Sequence, residues 1–122
     1  MRFDDAVLAL ISKSLVLGIR AGAGPHRMIG IWAVIVSRRV FVRSWTLKPR
    51  GWYRTLLDEP YGIVRIGDRE IPVRAVHTRS ERLKDAVDRA YAARYTTPAS
   101  LQYVRGFRQA RRRDTTMELV PT

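Results

Sequence analysis

The sequence predicts an α+β fold: one domain over residues 1–122, in which six mainly antiparallel strands close into a small barrel with flanking helices. Runs rich in β-branched and aromatic residues come in consecutive pairs joined by tight turns, as hairpins do. Helical periodicities fall between those hairpins, which points to an antiparallel sheet and away from a parallel doubly wound one. So many strands in so short a chain suggest that the sheet closes on itself around one core.

The expected order is α-β-β-β-α-β-β-α-(α)-β. Phe3, Val7, Leu10, Ile11 and Ser14 or Leu15 recur at helical spacing, with Asp4 and Asp5 at the end where negative charge is favoured. "LVLGIR" (15–20) reads as a strand and "AGAGPHR" (21–27) as a loop. "MIGIWAVIV", a tight "SRR" and "VFVRSW" form a hairpin. In its second strand Val40, Val42 and Ser44 share one face while Phe41, Arg43 and Trp45 share the other.

"PRGWYRTLLDEP" (49–60) reads as a two-turn helix that pairs Trp52 with Leu56 and Tyr53 with Leu57, and Pro60 stops it. A second hairpin, "YGIVRI" and "REIPVRAVH", turns at Gly67-Asp68. Pro72 cannot donate a ladder bond, so the second of these strands is expected at an edge or bulged. Thr78 and Glu81 have capping-box spacing ahead of a helix whose stripe is Leu83, Ala86, Val87, Ala90, Tyr91 and Tyr95. "ASLQYVRGFRQARRRD" reads as a short helix and a basic loop, and "TTMELVP" as the last strand.

Composition narrows the function classes. The net charge is +12, and three of the 23 basic residues are lysine. Arginine binds phosphate and carboxylate bidentately, and a field of this sign attracts anions. Cysteine is absent, which removes disulfides, thiolate ligands and a thiol nucleophile. His26 and His77 lie far apart, so no metal site is expected. The longest apolar run, 29–36, is too short to span a bilayer, and the N-terminus does not resemble a signal peptide. A cytoplasmic location with no membrane partner is expected.

The glycines of "GIRAGAGPHR" have neither P-loop nor dinucleotide-fold spacing, though Arg27 at the loop's end is a candidate phosphate contact. No Ser-His-Asp pattern or carboxylate pair appears, which disfavours a hydrolase and leaves the catalytic residues unknown. The five arginines of "RGFRQARRRD" could meet nucleic acid, with Tyr103 or Phe107 stacking a base, but no nucleic-acid-binding motif accompanies them and that partner is disfavoured. The densest cluster is "RSWTLKPRGWYRTLL" (43–57). It ends a strand with Arg43, Ser44 and Trp45 and opens a helix with Trp52 and Tyr53, where free N–H groups favour an anion and the rings can cover a flat ligand.

At these residues the chain resembles known families. "GIRAG", "IGIWAVIV", "VFVRSW", "GWYR", "DAVDRAYAARY" and "TTMELVP" resemble the bacterial family called domain of unknown function 2255, over about residues 3–121. More distantly, residues 28–76 resemble the split barrels of flavin proteins and deazaflavin-dependent nitroreductases. That resemblance implies a flavin-binding split-barrel-like fold, a homodimer, and flavin mononucleotide (FMN) or deazaflavin F420 in a cleft. Trp52 and Tyr53 match the Trp-Tyr pair that borders the cofactor, and Arg43 and Ser44 match the strand end beneath it. Where the nitroreductases carry a "K-S-G-x-x-R" type segment this chain has "AGAGPHR", leaving Arg27 and His26 as its basic groups.

The sequence therefore points to an oxidoreductase-like split barrel that binds a cofactor through Arg27, Arg43, Ser44, Trp45, Trp52 and Tyr53. A small-molecule-binding barrel without catalysis, or a basic nucleic-acid-binding protein, are the alternatives.

Overall fold

The computed structural model describes residues 2–122. Helix α1 (Asp5–Lys13) is capped by Asp4, whose Oδ1 accepts from Val7 N at 2.9 Å. Strands β1 (Leu17–Ala21), β2 (Ile29–Ile31), β3 (Ala33–Val36) and β4 (Arg39–Val42) follow, then α2 (Trp52–Asp58) and the hairpin β5 (Tyr61–Ile66) and β6 (Arg69–His77). The chain ends with α3 (Glu81–Arg94), α4 (Pro98–Phe107), α5 (Ala110–Arg113) and β7 (Met117–Pro121).

All pairings are antiparallel, in the order β2-β1-β5-β6-β7-β4-β3. The two outer strands of that order, β2 and β3, are consecutive in the chain and separated only by Trp32. One bent strand thus pairs with β1 through its first half and with β4 through its second, and this joins the two ends of the sheet. The count is accordingly seven strands rather than the expected six, because "MIGIWAVIV" breaks at Trp32.

The break has a local cause. Ala33 lies opposite Val42, so Trp32 and Arg43 would form the next pair. Counted from the two-residue turn at 37–38, it is one of the alternate pairs that exchange both backbone hydrogen bonds. Instead the Tyr91 hydroxyl stands between them, accepting from Arg43 N at 3.1 Å and donating to the Trp32 carbonyl at 2.8 Å. Both backbone groups are satisfied without a ladder bond, and the strands part there.

Two apolar clusters result. The barrel interior takes alternate residues of the strands, among them Leu17, Ile19, Val40, Val42, Val64, Val73 and Leu119. Helices α1 and α2 contribute Val7, Leu8, Ile11, Trp52 and Leu56 to the same cluster. Outside the barrel, Val34 and Phe41 pack against Val87, Tyr91 and Tyr95 of α3 and Val104 and Phe107 of α4. Strands β3 and β4 are therefore covered on both faces, as the period-2 reading of "VFVRSW" requires.

Several expectations change. In α1, Leu8 is buried and Leu10 exposed, and Leu15 lies beyond the helix end, 60% exposed. The N-cap of α3 is Ser80, whose side chain accepts from Leu83 N. Thr78 is buried and its N–H bonds the Thr116 carbonyl, so it forms no capping box. Strand β6 is interior, between β5 and β7, and accommodates Pro72 because the β7 ladder starts only at Val73. The basic segment after residue 97 is mostly helical, with α4 capped by the Thr97 side chain.

Candidate functional site

Besides an open hollow of about 550 Å³ lined by Trp45, Thr46, Leu47, Lys48 and Arg112, three concavities surround residues 43–58. The first, about 430 Å³, opens where the sheet parts and is lined by all three tryptophans, Trp32, Trp45 and Trp52. Tyr103 and Phe107, one helical turn apart on α4, complete its aromatic wall, and Arg43 lies beneath. Trp32 stacks on Tyr95 with centroids 4.0 Å apart and planes 6° from parallel. Trp45 meets Tyr103 and Phe107 edge-on at 4.9 and 5.6 Å.

Trp45 is held from two further sides. A Cβ at Gly106 would lie 2.4 Å from Cζ3 of its ring, so α4 approaches it only because that residue has no side chain. The Arg112 guanidinium lies 3.9 Å from the ring centroid, and its Nε donates to the Trp45 carbonyl at 2.8 Å. A cation over an indole face and a charge-assisted bond to the same residue are mutually reinforcing restraints.

Arg43 is buried and its donors are turned inward. Nε donates to Thr116 Oγ1 at 2.8 Å, Nη1 to Asp88 Oδ1 and to the Phe107 carbonyl, and Nη2 to the Lys84 carbonyl at 2.9 Å. A guanidinium has about five N–H groups, so four of them tie β4 to α3, α4 and the segment before β7. Ser44, on the opposite face of the chain, is also buried; its N–H donates to Thr115 Oγ1 and its hydroxyl to the Thr46 carbonyl, each at 2.8 Å.

The second cavity, about 530 Å³, shares Ile29 and Trp52 with the first. Its lining brings together His26, Arg27, Arg50 and Arg54 with one acid, Asp58. Gly22 shapes the loop that carries Arg27. Its φ is +73°, and a Cβ there would lie 2.7 Å from Glu59 Oε2 and 2.9 Å from Thr55 Cγ2.

The third, about 310 Å³, is lined by Ser44 and Tyr53 together with Lys48, Arg54, Arg111 and Asp114. Burial pushes the Tyr53 phenol above its ordinary value and the nearby Arg54 charge partly offsets this. The Tyr53 hydroxyl lies 3.4 Å from His77 Nε2, which itself lies 2.7 Å from the Asp114 carbonyl oxygen.

The acids nearby are largely engaged elsewhere. Arg113 bonds Glu81, reaches Asp85 at 2.5 Å and Asp88 at 3.4 Å, and its hydrogen bond holds the Glu81 carboxyl below its usual range. Lys84 Nζ pairs with Asp114 at 3.1 Å. Of the arginines in "RRRD", Arg113 is enclosed by acids, Arg112 is stacked on Trp45 beside the open hollow, and Arg111 faces the third cavity.

The structure brings Arg43, Trp45 and Trp52 together, sets Arg27 beside Trp52 in the adjoining cavity, and places Ser44 and Tyr53 in the third. Sequence reasoning missed Trp32, hidden inside a strand pattern, as a wall of the site. Tyr103 and Phe107 carried an i, i+4 signal in a segment read as a short helix and a basic loop, and suggested only the stacking of a base.

An antiparallel sheet closed by one bent strand, parting beside an aromatic cleft and flanked by helices, defines a split-barrel protein. The profile of the bacterial family described as "Uncharacterized protein conserved in bacteria", domain of unknown function 2255, matches residues 14–119, and the chain belongs to that family. No curated protein matches it. Among solved structures, the fold is similar to a putative pyridoxamine 5′-phosphate oxidase from Listeria innocua, with TM-score 0.65 and 15% identity over 96% of this chain and 91% of that one. It is also similar to a conserved hypothetical protein from Mycobacterium tuberculosis, with TM-score 0.62 and 14% identity over 96% and 78% of the two chains. No helix among the described residues is long and apolar enough to cross a membrane.

Proposed function

We propose that this chain is an oxidoreductase-like split-barrel protein that binds FMN or F420 and works as a homodimer. The observation that carries the reading is the convergence of all three tryptophans on one apolar cavity that adjoins a cavity rich in arginine. A planar ring system fits apolar aromatic walls, and a phosphate fits cations just beyond them. Trp45 and Trp52 would flank the ring above Arg43, and Arg27 would take the phosphate with Arg50. Ser44 backs the Arg43 strand end, and Tyr53 follows Trp52 on α2 from the far side.

Such a cofactor supplies the hydride chemistry when bound. The protein's own part is to position it and keep water away. Arg43 is the one ionisable side chain lining the aromatic cavity apart from Tyr103, so no general acid or base is assigned. Ile29, Trp45 and Tyr103 at the cavity are each more than a third exposed, and a second copy of the chain would cover them.

Titrating FMN and F420 into the purified chain while following tryptophan fluorescence and absorbance tests the reading. Quenching that Trp52→Ala and Arg27→Ala weaken is expected. No response to either cofactor would overturn it. Light scattering tests the dimer.

The inward commitment of Arg43 favours a second reading, a small apolar ligand held without catalysis. It expects thermal stabilisation by an apolar compound and none by a flavin. A nucleic-acid role draws less support, since Arg113 is enclosed by acids and Arg112 is committed to Trp45.

A further inference from the structure

The third cavity has a composition that the cofactor reading does not use. Lys48, Arg54 and Arg111 line it from the loop after β4, from α2 and from α5. None of the three forms an ion pair or a side-chain hydrogen bond among the described residues. The one acid in the lining, Asp114, is held by Lys84 at 3.1 Å. Like charges around a concave wall repel one another, and a bound anion relieves that repulsion.

Tyr53 adds a directed donor. The Asp114 carbonyl, 2.7 Å from His77 Nε2, can only accept, so Nε2 must carry a hydrogen in either charge state of the ring. The Tyr53 hydroxyl, 3.4 Å away, therefore cannot donate to Nε2, whose one hydrogen is directed at the Asp114 carbonyl. Its own proton has no acceptor among the described residues. A phenol with an ordinary value of about 10 keeps that proton at neutral pH, and burial holds it more firmly.

We propose that the cavity formed by Lys48, Tyr53, Arg54 and Arg111 is a binding site for the oxyanion group of a small molecule, a phosphate monoester or carboxylate, separate from the aromatic cavity. Its volume of about 310 Å³ holds an anionic head and a small body but no dinucleotide. Arg54 lines both this cavity and the one carrying Arg27, so an anion here would share a wall with the cofactor's phosphate. Under the cofactor reading this is where an acidic substrate would be held, but the site itself does not depend on that reading.

Calorimetric titration of the full chain with inorganic phosphate, phenyl phosphate and benzoate at fixed ionic strength tests it. Saturable binding is expected, weakened at least fivefold by Lys48→Ala or Arg111→Ala and about threefold by Tyr53→Phe. Arg89→Ala removes the same charge from an exposed position on α3 that lines none of these cavities, and should leave phosphate binding within twofold. Tighter phenyl phosphate than benzoate assigns the site to phosphate monoesters, and the reverse assigns it to carboxylates. Equal losses from Arg89→Ala and Lys48→Ala, or no saturable binding, would overturn the proposal by showing only a diffuse positive field. Anion binding with this pattern in a chain that takes up neither FMN nor F420 would uphold this site while the cofactor reading fails.

Discussion

The Tyr91 hydroxyl donates to the Trp32 carbonyl at 2.8 Å, in the position where the ladder bond from Arg43 would arrive. A helix side chain thus decides where two strands stop pairing, and the aromatic cavity opens at that point. Tyr91→Phe leaves a buried N–H and a carbonyl without a partner, at a cost of about 1–3 kcal/mol. Urea unfolding should show that loss together with a change in Trp32 fluorescence. Unchanged stability would mean that the strands close the gap by pairing directly.

Alkaline pH tests the same residue differently. Burial pushes the Tyr91 phenol well above its ordinary value, and Arg43 offsets this only in part; burial raises Tyr95 as well, against the opposing effect of Arg94. A raised folded pKa means that the stability is fully present below the unfolded value, about 10. Above it the unfolded chain loses a proton that the folded chain keeps, and stability falls by about 1.4 kcal/mol per pH unit for each such tyrosine. Denaturant midpoints between pH 9 and 12 should decline accordingly, and less steeply in Tyr91→Phe.

Gly106 supports the site through Trp45. An added Cβ would lie 2.4 Å from the ring, so Gly106→Ala must displace the indole or α4. Overpacking of this kind costs about 1–3 kcal/mol. Ligand affinity in the aromatic cavity should fall about tenfold or more, a change that a cofactor titration reads directly. Arg112→Ala, which removes the outer restraint without a clash, should give a smaller loss and a more mobile indole by fluorescence anisotropy.

The β3–β4 turn offers a stabilising change. Ser37 and Arg38 both sit in the left-handed region, with φ of 51° and 65°, in a two-residue turn that Asn-Gly fits better. Ser37→Asn with Arg38→Gly should raise stability by about 1 kcal/mol, read as a higher melting temperature, despite loss of the exposed Arg38–Asp5 pair. A lower melting temperature would show that this pair outweighs the backbone strain.

Much of this structure was legible in local pattern. Alternation placed Val40 and Val42 on one face and Phe41 on the other, and period 3.6 placed Val87, Tyr91 and Tyr95 on one stripe, because each signal depends only on which side of a strand or helix a residue occupies. Among the signals that misled were the cap of α3 and the face of α1. Thr78 and Ser80 are both competent caps, and packing against Thr116 removed the first. Leu8 and Leu10 both suit an amphipathic helix, and the barrel mouth buried the former.

The site divides along the same line. Local pattern suffices to put Arg43 and Trp45 on one face, to open a helix with Trp52 nearby, and to crowd this stretch with cations. Tertiary structure alone decided that Arg43 turns its donors inward, that Trp32 and α4 complete the aromatic wall, and that Ser44 and Tyr53 face another cavity. The reason is physical: strand and helix periodicity assign a side chain to a face, but its partners come from segments far along the chain, and Tyr91 between Trp32 and Arg43 is the contact no local pattern encodes.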